Sequence, residues 1–143
     1  MTMQHEQNVL RLLEQQQRII RVDQMQKKQR ISEEIQNFTR LQEKVSGYLN
    51  LYDQLFRLIT IWLLERGYDL TNYQPHQVLK GVCLLHCSDC DLEKVIQLRH
   101  QVKKGMLSSV YSDCAKDLQH CHYYFVTNLQ AYICISTLEI HAQ

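Results

Sequence analysis

The sequence is poor in the residues that turn a chain: its 143 residues include four Gly and one Pro. A β-rich or loop-rich domain needs more of both to make its turns, so the shortage predicts long helices joined by short connections. No apolar run approaches the roughly 18 residues of a bilayer span, so no membrane segment is expected. The opening MTMQHEQNVLRLLEQQQ has no basic region followed by an apolar stretch, and so does not read as a secretory leader. A cytoplasmic protein whose six cysteines are free thiols is the expectation. Charge of one sign is also lacking: the formal net charge is +1, which excludes a global field steering the chain to nucleic acid or a membrane surface. No Gly-rich phosphate loop, HExxH helix, nucleophile elbow or spaced pair of carboxylates occurs. Conventional hydrolase and nucleotide-loop chemistries are therefore not expected, and no cofactor is implied.

What is present is helical. Residues 1–44 hold no Gly or Pro, ten Gln, and eight Lys or Arg against six Asp or Glu, all types of good helix propensity. Apolar residues up to Gln29 are sparse, a narrow stripe suited to a helix lying on a surface or pairing with one partner. Ser32 followed by Glu33 and Glu34 reads as an N-cap with acids in the first turn, placing a break between Arg30 and Ser32. One bent continuous helix is the alternative. The division expected is a Gln-rich helical arm over 1–31 and a bundle domain over 32–143.

The strongest periodic signal comes next. Ile35, Phe38, Gln42, Val45, Leu49, Tyr52, Phe56, Ile59 and Leu63 follow at alternating steps of three and four, widened by Leu41, Tyr48, Leu55, Leu58 and Trp62. This pattern predicts one helix of over 30 residues, whose stripe forms core or interface. Gly67 after Arg66 supplies a position able to adopt φ > 0 and end it. YDLTNYQ reads as a loop, and Pro75 opens a short helix at its first position, where a missing N–H costs nothing. Ser88 with Asp91 reads as the cap of a fourth helix ending at Gly105, and Ser108 or Ser109 as the cap of a last helix with its stripe at Tyr111, Cys114, Leu118, Cys121, Phe125, Leu129 and Tyr132. An all-α, up-and-down bundle of four to five helices with a long Gln-rich N-terminal helix is the architecture expected.

Three features carry candidate chemistry. Cys83, His86, Cys87 and Cys90 fall within eight residues, and Cys87-x2-Cys90 has a workable zinc spacing, but a second knuckle is missing. Cys83 and Cys87 lie one turn apart on a face needed for packing, so buried thiols are the alternative and no metal is expected. His76 sits in the first turn of a helix, where a neutral imidazole accepts a backbone N–H. The run LRHQVKKG places Arg99, His100, Lys103 and Lys104 within six residues at a helix C-terminus. Those cations either complement the negative helix end in solvent or contact an anion such as an RNA backbone.

The order of these features resembles the HEPN superfamily of small helical bundles over residues 45–135: a long helix ending in LLERGYDL, His76 in QPHQVLKGV, an acidic cap, LRHQVKKG and a long closing helix. The resemblance implies a bundle that is usually a homodimer. Many members are metal-independent ribonucleases of toxin–antitoxin, defence or RNA-processing systems, with an Arg, an adjacent polar residue and a His four to six intervening residues later, paired across the dimer. Arg99 matches the Arg and His100 the polar residue, but the catalytic His position falls near Lys104, Gly105 and Met106. None of the eight arginines has a His at the required spacing. A lysine is a poor proton shuttle near neutrality, and His100 projects about 100° away from Arg99. The expectation is a non-catalytic HEPN-like interaction protein, dimeric, with a weak RNA or nucleotide contact at Arg99, His100, Lys103 and Lys104. The alternatives are a metal-independent ribonuclease using Arg99 with His100 or Lys104, and a coiled-coil adaptor for a partner helix.

Overall fold

A computed structural model describes residues 3–106 and 110–133. Among them the chain forms an all-α bundle of six helices with one two-stranded ribbon: α1 (Met3–Gln15), β1 (Ile19–Arg21), α2 (Gln24–Gln42), α3 (Tyr48–Glu65), β2 (Tyr68–Leu70), α4 (Pro75–His86), α5 (Leu92–Lys103) and α6 (Ser112–Asn128). No helix among the described residues is long and apolar enough to cross a membrane.

α3 is the centre of the bundle, packed on α2, α4, α5 and α6. Its residues Leu58 to Leu64 are all buried, the signature of a helix surrounded by others rather than lying on a surface. Trp62, Leu55, Leu58, Ile61 and Leu63 have no solvent-exposed area. α6 contributes Leu118, Cys121 and Phe125 to the same core and its C-cap Leu129 joins them, as the stripe predicts, whereas Tyr111 at its N-cap is exposed. Ser108 and Ser109 lie outside the described residues; the helix begins at Ser112, capped by the backbone of Tyr111 without a side-chain bond.

The long helix expected through Val45 is two helices. α2 ends at Gln42, residues 43–47 turn, and α3 starts at Tyr48 and packs against α2. Asn50 secures the turn, its amide donating to the carbonyls of Leu41 at 2.8 Å and Val45 at 3.2 Å. Val45 is therefore no stripe member: it is 91% exposed. Phe38, Tyr52, Ile59 and Leu63 are buried as expected, and Ile35, Leu49 and Phe56 half-buried.

The break expected at Arg30–Ser32 lies earlier. Gln17 takes a left-handed conformation (φ 62°) after α1, and β1 then pairs antiparallel with β2, Ile20 opposite Asp69. YDLTNYQ is thus partly strand. Asp23 caps α2 in a reciprocal box: its carboxylate accepts from the Gln26 N–H at 2.8 Å, and the Gln26 side chain accepts from the Asp23 N–H at 3.1 Å. Ser32 is an exposed mid-helix residue, and the boundary drawn at 31/32 falls inside α2. Leu10 and Leu13 of α1 belong to the same core cluster as α3, and Arg66 of the α3 end pairs with Glu6 at 2.8 Å. The Gln-rich segment is accordingly two helices and a strand built onto the bundle.

The remaining caps follow the local chemistry. Gly67 (φ 89°) closes α3, and Pro75 opens α4. α5 is capped by Asp91, accepting from the Lys94 N–H at 3.1 Å, rather than by Ser88.

Candidate functional site

Arg99 reaches its position because α5 is pinned by its neighbours. Leu92, Val95 and Leu98 are buried, which turns the next residue toward the flank of α3. The Arg99 side chain is only 16% exposed. Its guanidinium carbon sits 5.0 Å from the centroid of the Tyr52 ring, within cation–π range. Its ion-pair partner is Asp53, with Oδ1 3.7 Å from Nη2, and its buried Nε has no hydrogen-bond partner among the described residues.

Tyr52 also reaches α4. Its hydroxyl and His76 Nδ1 are 2.8 Å apart, so the expected backbone partner of His76 is replaced by a phenol. The His76 ring is also 5.4 Å from the Phe56 ring, centroid to centroid. Burial depresses the imidazole pKa, and Arg99 and then Lys103 depress it further, against a smaller opposing effect of Asp53. His76 is consequently neutral at pH 7.

Arg99 and His76 line a cavity of about 430 Å³ together with residues that the helical hairpin brings opposite them. From α2 come Asn37, Arg40 and Leu41, spaced i, i+3 and i+4 on one face, and from the turn after it Lys44; from α3 come Asp53, Phe56 and Arg57. Arg57 is held from behind by Glu34, a 1% exposed carboxylate whose two oxygens lie 3.1 and 3.0 Å from Arg57 Nη1. Glu34 also bonds Arg30 at 3.0 Å, and Arg30 bonds Asp69 of β2 at 2.8 Å. Four cations and a neutral imidazole thus face one hollow in which Asp53 is the single carboxylate among the described lining residues.

The basic run read from the sequence is not one patch. Arg99 turns inward, while His100, Lys103 and Lys104 remain exposed outside the cavity lining. Arg40, Lys44, Arg57, Asn37 and the role of His76 were not found from the sequence. The spacing of Asn37, Arg40 and Lys44 was a usable signal, but it points to Arg99 only once α2 is known to fold back along α3.

The cysteine cluster is core. Cys83, Cys87 and Cys90 are buried free thiols, and they pack with Cys121 of α6. A hydrogen bond to Cys121 and burial push the Cys87 thiol up, and burial raises Cys90. Such thiols are poor nucleophiles. His86 instead stacks on Tyr124, ring centroids 5.0 Å apart. Among the described residues no three His, Cys, Asp or Glu side chains are arranged to hold a metal ion.

The fold and this hollow define an all-helical protein with a recessed cationic pocket. Comparison with protein families, curated proteins and solved structures finds no match.

Proposed function

We propose that the chain is a non-catalytic, HEPN-like RNA-binding protein that takes a phosphate of a single strand in the Arg99–His76 pocket. One observation carries this reading: Arg40, Lys44, Arg57 and Arg99 line a single cavity with one carboxylate among the described lining residues, and the Arg99 guanidinium there meets that carboxylate only at 3.7 Å. Two guanidiniums with unused N–H groups match the geometry of phosphate oxygens. The Phe56 and His76 rings offer a wall for a base or sugar. Absence of catalysis follows from counting proton carriers. Efficient cleavage at a ribose 2′-OH uses both a base and an acid, and His76 is the single imidazole among the described lining residues. Fluorescence anisotropy with a labelled RNA oligomer tests the reading. Binding should weaken steeply with added salt and be lost in Arg99→Ala, with helicity unchanged. No binding at low salt would refute it.

A ribonuclease is the second reading, favoured by the neutral imidazole beside Arg99. His76, not His100 or Lys104, would then accept the 2′-OH proton while Arg99 and Arg57 hold the phosphate; the 2′-oxygen would bond to phosphorus, the bond from phosphorus to the 5′-oxygen would break to leave a 2′,3′-cyclic phosphate, and the imidazolium or water would protonate the departing 5′-oxygen. RNA cleavage abolished by His76→Gln would replace the first reading with this one.

The same proposal includes a homodimer. The exposed Val45, Val110 and Tyr123 border two adjoining hollows that share Tyr48, a surface suited to a second copy. A strict monomer in light scattering would refute that element alone.

A further inference from the structure

We infer that the pocket is built for a terminal phosphomonoester of an RNA strand and discriminates against the internal phosphodiester; this rests on the RNA-binding reading above. Charge is the first ground. The four lining cations are offset by Asp53 and, behind Arg57, by Glu34. Glu34 is shared with Arg30, so the lining keeps a net positive charge, which favours a dianion over a monoanion. A phosphomonoester, with its second ionisation near pH 6, is largely dianionic at neutrality, whereas a phosphodiester carries one charge.

Depth is the second ground. Arg40 and Lys44 are exposed at the rim, whereas Arg57, His76 and Arg99 are half-buried. A phosphate must leave solvent to reach the Arg99 guanidinium, and a cavity of about 430 Å³ is at the small end of ligand clefts, ~300–1,000 Å³. A monoester brings one sugar into that space, but a diester must bring two. The donors are the third ground. Arg57 uses Nη1 on Glu34, which leaves Nε and Nη2, and the Arg99 terminal nitrogens meet only Asp53, at 3.7 Å from Nη2. Together they can hold more than the two unesterified oxygens a diester offers.

The experiment compares three RNA oligomers of one sequence, carrying a 5′-phosphate, a 3′-phosphate or hydroxyls at both ends. Competition with a nucleoside monophosphate and with inorganic phosphate accompanies it. One phosphorylated strand should bind about tenfold more tightly than the hydroxyl strand, a ratio within reach of one charge-assisted contact. The nucleoside monophosphate should compete with it. Arg99→Ala and Arg40→Ala should erase the ratio, and Lys28→Ala, on the exposed side of α2, should keep it. If Arg99→Ala unfolds by circular dichroism, Arg99→Lys serves, since it keeps the charge and loses the guanidinium. Equal affinity for all three strands overturns the inference and leaves RNA binding intact. No binding of any strand removes both. A ratio that survives Arg99→Lys and Arg40→Ala overturns the assignment to this pocket.

Discussion

Glu34→Gln is the sharpest perturbation of the link between fold and site. The carboxylate is 1% exposed and bonds two guanidiniums, Arg30 at 3.0 Å and Arg57 at 3.0 and 3.1 Å. Removing one partner of a fully buried ion pair costs about 3–5 kcal/mol. Here the arginine side chains are 32% and 38% exposed, so water screens them once released, and Arg30 keeps Asp69. Glutamine retains one acceptor oxygen and the volume. The expected loss is therefore about 2 kcal/mol, read as a lower urea midpoint at unchanged slope. At this chain length it is a fall of about 5–10 °C in Tm. RNA binding should weaken as well, because Arg57 loses the group that holds it at the pocket. Unchanged stability in Glu34→Gln would refute the network as a structural element. Lost stability with unchanged RNA binding would show that Arg57 needs no support from behind.

Stability should fall as pH drops below about 6.5, because His76 and His86 are both held below that value by burial and so take up protons more readily when unfolded. Above it both states are neutral and the dependence vanishes; the gap in urea midpoint between wild type and His76→Gln should be constant above pH 7 and change below it, the variant losing less stability on acidification, and a wild-type profile flat to pH 5 would refute this. Val45→Glu should change stability by under about 0.5 kcal/mol, whereas Phe38→Ala, at a 1% exposed position, should cost about 3–5 kcal/mol; equal effects would restore the continuous helix. Asp23→Ala should cost about 1 kcal/mol by breaking the capping box, and no loss would place the start of α2 elsewhere.

The helical class was legible because it follows from scarcity of Gly and Pro and from three-four spacing, both local properties. Element boundaries were less so. The steps Gln42, Val45, Leu49 keep the helical phase across residues 43–47, so periodicity alone runs through a turn. Ser46-Gly47, a turn-forming pair, marked the place. The β1–β2 ribbon was hidden for another reason: three-residue strands show no period, and Ile19 pairs with Leu70, which local pattern cannot foresee. Asp23-x-x-Gln26 was a readable capping box, overlooked beside the more familiar Ser32 with its acids. In the site, Arg99 was found through charge density. Arg40, Lys44 and Arg57 were not, because they become neighbours of Arg99 through packing on α3 and share no segment with it.

Tyr52 shows why the core prediction still led toward the site. It was placed in the apolar stripe, and its side chain is indeed fully buried. Yet its ring underlies the Arg99 guanidinium and its hydroxyl holds His76. One residue thus transmits the packing of α3 to α5 and α4, and Tyr52→Phe separates the two contributions. The ring and its contact with Arg99 survive; the hydrogen bond does not. Because the half-buried imidazole can turn to water, the stability loss should be about 1 kcal/mol or less. The effect should instead appear in the site, as changed His76 ring resonances and a changed His76 titration by NMR. RNA affinity should fall less than in Arg99→Ala, since the charges remain. Identical His76 spectra in the two proteins would refute the Tyr52 hydroxyl as the group that orients this histidine.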